Sequence, residues 1–133
     1  NGVFFIHPSV YSDQIYIIKT NFPEGEYILI ENRQAVLWDA LLIQSGVLLY
    51  HIDETVDMSK RGWPGQEQKQ WPGNGEHYRI SLIQADGSFH MERGTNSGDN
   101  NDFWGKDTAQ SLGPGPIEHV ASDRGIYPNT NSY

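Results

Sequence analysis

The stretch GVLLYHIDE, residues 46–54, decides the fold because it carries the most continuous apolar run of this chain. A short apolar run without alternation is typical of a strand that is covered on both faces of a sheet. We therefore predict that residues 46–54 form the central strand of a β-sheet. The other apolar runs are also short, and they are bounded by Gly, Pro, Asn and Asp, which predicts a mainly β fold.

Four further strands are predicted around it, at residues 3–6, 14–20, 26–32 and 77–85. The sequence NFPEG at residues 21–25 predicts a turn, so the strands on either side of it form a hairpin. In the last strand, alternation places three apolar residues on one face: Tyr78, Ile80 and Leu82. We expect long loops elsewhere, with turns at two WPG copies, residues 63–65 and 71–73. At most one or two short helices are expected, the first candidate being a single turn at residues 106–112.

The composition of the chain fits one domain, residues 1–133, and excludes several classes of protein. Seventeen acidic residues against nine Lys and Arg give a net charge of -8, which repels phosphate backbones and anionic lipid surfaces. No apolar run approaches the roughly 18 residues needed to span a bilayer. The absence of cysteine excludes disulfides and thiolate zinc sites. We therefore expect neither a nucleic-acid partner nor a membrane span.

The strongest candidate site is the acidic loop GDNNDFWG, residues 98–105, together with Asp86 upstream of it. Calcium binds six to eight hard oxygen atoms, and carboxylates and amides crowded onto a glycine-containing turn supply them. Clustered carboxylates also destabilise a fold unless a cation or hydrogen bonds hold them. However, Asp, Asn and Gly are also the ordinary residues of turns, and the twelve-residue loop of an EF-hand is missing. The residues alone leave a calcium site and a plain acidic turn both open.

A second candidate is the sequence HIDE at residues 51–54, where alternation places His51 and Asp53 on the same face of the strand. Such a pair can act as an acid/base couple or bind a cation. The alternative is a hydrogen-bonded histidine at a strand edge. The five histidines lack the spacing of a helical zinc site. A sugar-binding surface of aromatic residues is a third possibility, although most aromatics in a domain of this size form the core.

Five motifs follow one another in an order that is specific to a known family. They are GEYILIENRQ at residues 25–34, WDA at 38–40, SGVLLYHIDE at 45–54, LIQADG at 82–87, and GD followed by Asp102 at 98–102. With the ending PNTNSY at 128–133, they make nearly the whole chain resemble the immune inhibitor A family of secreted zinc metallopeptidases. Two departures are Tyr50, where Trp is usual, and Trp104 followed by Gly105, where Phe-Pro-Gly is common.

The resemblance implies the C-terminal part of the family's peptidase domain, which is the β-rich lobe of an α+β fold. Asp99 and Asp102 match the family's Gly-Asp-x-x-Asp loop and Asp86 its Ala-Asp-Gly turn, which implies calcium binding. Asp53 and Glu54 match strand-end acids of the family and are the remaining candidate metal ligands. The zinc-binding H-E-x-x-H helix lies upstream of these motifs in the family and is not in this sequence. We therefore expect no catalytic residue here and no peptidase activity from this chain alone.

The resemblance also implies an extracellular, secreted protein whose substrate, for the whole domain, is another protein. The partner of this lobe is then the upstream half of the domain or another copy of a like chain. Asn at position 1, in place of Met, agrees with a piece of a longer polypeptide. The alternative is a non-catalytic extracellular module that calcium stabilises and that serves a structural or filament-forming role. An H-E-x-x-H motif upstream would favour the enzyme, and its absence would favour the module.

Overall fold

The computed structural model describes residues 2–57 and 78–112. These residues form a four-stranded antiparallel sheet whose strands lie side by side in chain order. The strands are β1 (Tyr16–Ile18), β2 (Glu26–Arg33), β3 (Gly46–Asp53) and β4 (Ile80–Leu82). Two three-residue 3-10 turns, Leu37–Asp39 and Asn100–Asp102, are the helical elements of this part of the chain. The prediction of a mainly β fold with few and short helices is confirmed.

β3 lies between two neighbours in the sheet, as its sequence predicted. It pairs with β2 over eight residues, from Asp53 opposite Glu26 to Gly46 opposite Arg33. Leu48 and Leu49 point to opposite faces and are each only 8% exposed, so both faces of the strand are covered there. The predicted hairpin is also present, because β1 pairs antiparallel with β2 across the turn at residues 21–25.

β4 is shorter than predicted, and its buried face is the opposite one. The structure assigns only Ile80–Leu82 to the strand, whereas residue 77 lies outside the described part of the chain. Ser81 is buried and Ile80 is 44% exposed, whereas the alternating sequence predicted that Ile80 would be buried and Ser81 exposed. The reason is the register: Ser81 lies opposite His51, and that face of β3 is the one that carries the core. Register therefore overrides the apolar pattern in so short a strand.

One other local prediction is wrong. Residues 3–6 form no strand, and Phe5 is 82% exposed. This segment is attached by a side chain instead of a ladder, because Asn32 Nδ2 donates to the carbonyl oxygen of Ile6 at 2.8 Å. At residues 106–112, where at most a single helical turn was expected, the structure has a short turn and no helix. The N–H of Thr108 donates to the carbonyl oxygen of Gly105 at 3.2 Å, and its hydroxyl donates to the carbonyl oxygen of Phe103.

The main core lies on one face of the sheet and includes residues from beyond β4. Its buried members are Ile28, Leu49, Ile83, Ala85 and Trp104. The last of these is fixed at three points. Trp104 and Val47 exchange two backbone hydrogen bonds, at 2.8 and 2.9 Å, and the indole Nε1 donates to the carbonyl oxygen of Ile83 at 2.7 Å. The segment after β4 therefore returns to β3 and packs against it.

Some predictions fall on residues that the structure does not describe. These are the turns at the two WPG copies, residues 63–65 and 71–73, and the resemblance of the ending at residues 128–133. Within the described residues, no helix has the length and the apolar character that a bilayer crossing requires.

Candidate metal centre

The candidate site lies on the loop that joins β4 to Trp104. Both ends of this loop are fixed against the sheet. At the first end, the backbone N–H of Ile83 donates to the carbonyl oxygen of Leu49 at 2.8 Å. Further along, the N–H of Ala85 donates to the carbonyl oxygen of Asp102 at 3.2 Å, which holds the two ends of the loop together. Residues 86–101 therefore form a closed loop whose side chains can meet.

Three side chains of this loop form the group of potential metal ligands found in the described residues. Asp86, His90 and Asp99 each offer one ligand atom, and these atoms lie within 4.8 Å of one another. His90 Nδ1 lies 3.7 Å from Asp99 Oδ2. Two of the three residues, Asp86 and Asp99, were predicted as ligands from the sequence, and the fold brings them together across thirteen positions.

Asp102, the third predicted ligand of this loop, is 1% exposed and is not a member of this group. Its Oδ2 accepts a hydrogen bond from the backbone N–H of Asp99 at 2.5 Å, while its Oδ1 is buried and has no hydrogen-bond partner in the part of the chain described. Burial raises the pKa of this carboxyl, the hydrogen bond from the Asp99 backbone lowers it, the charges of Asp99 and Asp86 raise it, and His90 lowers it. Asp102 is therefore a close neighbour of the group and not one of its three members.

The loop also shows the ordinary hydrogen bonds of an acidic turn. Asp86 Oδ1 accepts from the N–H of Ser88, and Asp99 Oδ1 accepts from the N–H of Asn101, both at 2.8 Å. The Asp99 bond caps the 3-10 turn, and each bond satisfies one oxygen of its carboxylate. Asp99 Oδ2, which lies nearest to His90 Nδ1, also accepts a hydrogen bond from Asn96 Nδ2 at 2.9 Å, so a cation at this oxygen would share it with Asn96 or replace that bond.

The residues present fit a divalent cation. Three carboxylates lie close together, and no lysine or arginine of the described residues forms an ion pair with Asp86, Asp99 or Asp102. Two buried polar atoms, Asp102 Oδ1 and His90 Nδ1, lack a hydrogen-bond partner among the residues described. A buried polar atom without a partner costs about 1 to 3 kcal/mol, and a cation bound to His90 Nδ1 would remove this cost for that atom.

A further acidic residue of the loop, Glu92, is buried and was not identified from the sequence. Its side chain is 1% exposed and accepts a hydrogen bond from Gln84 Nε2 at 2.5 Å. Burial raises the pKa of Glu92 to about 7, and the nearby Asp102 charge adds to the rise. The backbone carbonyl of Glu92 accepts from the Tyr78 hydroxyl at 3.1 Å. Glu92 therefore ties the loop to the small aromatic cluster of Tyr78 and Phe89.

The other predicted ligands, Asp53 and Glu54, do not belong to this group. Asp53 Oδ1 accepts from the N–H and the hydroxyl of Thr55, at 2.8 and 2.6 Å, which closes the turn after β3. Glu54 is exposed, and its Oε1 accepts from the Tyr27 hydroxyl at 3.0 Å. Their role as metal ligands stays a prediction, and in the structure each of them accepts hydrogen bonds from other residues of the chain.

The structure pairs His51 with Glu26 of the neighbouring strand. His51 Nε2 lies 2.7 Å from Glu26 Oε1, and the two residues are 2% and 6% exposed. The contact follows from the register, because His51 lies opposite Ile28, two residues from Glu26 and on the same face. This arrangement agrees with the hydrogen-bonded histidine that was one of the two sequence interpretations.

Searches of protein-family models, of curated protein sequences and of solved structures found no match to this chain.

Proposed function

We propose that this chain is a β-rich lobe stabilised by calcium, and that it serves as the C-terminal lobe of a secreted zinc metallopeptidase domain. The resemblance to the immune inhibitor A family suggests the enzyme, and the acidic loop supports the calcium site. The observation that carries the proposal is the convergence of Asp86 and Asp99 in front of the buried, partly unsatisfied carboxylate of Asp102. In this role the chain supplies structure to the cleft, and the catalytic zinc belongs to the upstream half.

Exposed apolar side chains in the connection between β2 and β3 support a lobe that contacts another polypeptide. Trp38 is 92% exposed and Leu41 is 97% exposed, and Leu37 beside them is 60% exposed. Large apolar side chains grouped on a surface mark a contact with another polypeptide. We assign this contact to the upstream half of the proposed domain.

The calcium site is tested by thermal unfolding of the chain with calcium and with a chelator. A cation that binds only the folded state raises the melting temperature. We expect this rise in the wild type and its loss in Asp99→Asn, which removes one charged ligand. Asp13→Asn is the matched control, because it makes the same charge change at an exposed position outside the loop. An equal response of all three proteins, or no response, would refute calcium binding at this site.

The peptidase part of the proposal has a separate test in the gene that encodes the chain. A coding sequence for H-E-x-x-H upstream of this lobe would supply the two histidines and the general base of a zinc peptidase. An upstream region without this motif would remove the enzyme and leave the calcium-stabilised extracellular module.

A further inference from the structure

His90 changes the chemistry of the acidic loop. The other potential ligands, Asp86, Asp99 and Asp102, offer only carboxylate oxygens, which suit hard ions such as calcium and magnesium. An imidazole nitrogen is a poor ligand for those ions and a good one for zinc and the other first-row transition metals. His90 Nδ1 is also buried and lacks a hydrogen-bond partner in the described part of the chain, so nothing there competes for its lone pair.

We propose that this loop binds a divalent transition-metal ion, with zinc as its representative, through His90 Nδ1 and the carboxylates of Asp86 and Asp99, whose ligand atoms lie within 4.8 Å of one another. This site is distinct from the catalytic zinc of the proposed peptidase, whose ligands lie on another part of the domain. The proposal rests on the same loop as the proposed function, but it does not require calcium to bind.

The three ligand atoms are close enough to converge on one ion. Zinc–nitrogen and zinc–oxygen bonds of about 2.0 to 2.1 Å place two ligands of a tetrahedral site about 3.3 Å apart. His90 Nδ1 and Asp99 Oδ2 lie 3.7 Å apart, and the atoms of the whole group lie within 4.8 Å of one another, so the side chains of the loop must move closer together when zinc binds.

The backbone on both sides of His90 is fixed by its conformation and by hydrogen bonds. Phe89, the preceding residue, is buried and adopts a φ of +53°, a left-handed conformation that a bulky side chain rarely takes. The N–H of His90 then donates to Gln84 Oε1 at 2.9 Å, and its carbonyl oxygen accepts from Thr95. These bonds hold the backbone of His90, and its ring nitrogen Nδ1 lies 3.7 Å from Asp99 Oδ2.

The experiment is calorimetric titration of the metal-free chain with zinc chloride and, separately, with calcium chloride. The variants are His90→Asn, which removes the nitrogen ligand, and His90→Asp, which replaces it with an oxygen ligand. His7→Asn is the matched control, because His7 is an exposed histidine outside the loop. We expect one zinc ion per wild-type chain, affinity reduced at least about tenfold in His90→Asn, and no change in His7→Asn. In His90→Asp we expect the ratio of zinc to calcium affinity to fall.

The outcomes separate this proposal from the proposed function. Zinc binding that is equal in the wild type and in His90→Asn overturns the proposal, and so does the absence of zinc binding. If calcium binds and zinc does not, the proposed function stands and this inference fails. If zinc binds through His90 and calcium does not bind, the inference stands and the calcium assignment fails. A circular dichroism spectrum of each variant shows whether it is folded, and His90→Asp provides a second test if His90→Asn is not.

Discussion

Replacing Asp102 with Asn should stabilise the metal-free protein and abolish its response to calcium. The carboxylate of Asp102 is 1% exposed, and its Oδ1 lacks a hydrogen-bond partner in the residues described. The charges of Asp86 and Asp99 further raise its pKa, so its negative form is unfavourable without a cation. In Asp102→Asn the amide oxygen can keep the bond from the N–H of Asp99, while the amide nitrogen takes the place of Oδ1. The variant therefore retains one contact and loses a buried charge.

The size of both effects follows from this arrangement. Removal of a buried negative charge beside two other carboxylates contributes about 1 kcal/mol in the metal-free state, a low value for the cost of burying an uncompensated charge. The unfolding entropy of a chain of 133 residues is about 0.28 kcal/mol/K, from about 2.1 cal/mol/K per residue. The metal-free variant should therefore melt about 4 °C above the wild type. Calcium at about 100 times its dissociation constant stabilises the wild type by about 2.7 kcal/mol, or about 10 °C.

The assay is thermal unfolding followed by circular dichroism, in chelator and in calcium, for the wild type, Asp102→Asn and the control Asp13→Asn. We expect the order of the wild type and the variant to reverse between the two conditions. The control should follow the wild type in both. The reasoning is refuted if Asp102→Asn melts below the wild type in chelator, or if calcium raises its melting temperature as much as that of the wild type.

Two further predictions concern packing and pH. Gly46→Ala should lower the free energy of unfolding by about 1 to 3 kcal/mol in urea titrations, because the new Cβ would lie 2.9 Å from the carbonyl oxygen of Trp104. Gly105→Ala is its control, since its Cβ would meet no atom within 4 Å, and equal losses would contradict the packing argument. In chelator, the wild type should lose up to about 3 kcal/mol between pH 4.5 and pH 7, because Glu92 has its pKa raised to about 7 and folding favours its protonated form. This stabilisation is complete below the ordinary pKa of a glutamate and is lost as the pH rises through the pKa of Glu92 in the folded protein. Glu92→Gln should therefore give a free energy of unfolding that depends less on pH. A dependence as steep as that of the wild type would show that another group titrates.

The sequence predicts the sheet well where apolar runs are long, and poorly where they are short. The strands predicted at residues 46–54 and 26–32 agree with β3 and β2 to within one residue at each end. Residues 3–6 are equally apolar, but a strand also needs a neighbour with free backbone groups, and Ile6 meets the side chain of Asn32 instead. In β4, three residues are too few for alternation to outweigh the register that Ser81 takes opposite His51. Pairing between strands is a property of the fold, so neither outcome was visible in the local pattern.

The candidate site divides in the same way. Asp86 and Asp99 were found because Asp, Asn and Gly cluster locally in the sequence. His90 was missed because its partners are aspartates four and nine residues away, a spacing that matches no helical metal motif. Glu26, the partner of His51, lies on another strand, so only the register reveals it. Side chains that meet through loop closure or strand pairing carry no sequence signal of their own.

The position of the acidic loop explains why a bound cation should stabilise the whole lobe. Ala85 at one end and Trp104 at the other are both members of the main core, and the N–H of Ala85 is bonded to the carbonyl oxygen of Asp102. Unfolding of the sheet therefore separates the two ends of the loop and destroys the ligand group. Because the group exists only while the core is intact, the free energy of cation binding adds directly to the free energy of unfolding. In a chain that contains no cysteine, a cation bound to the acidic loop would cross-link the fold in the way that a disulfide does in other proteins.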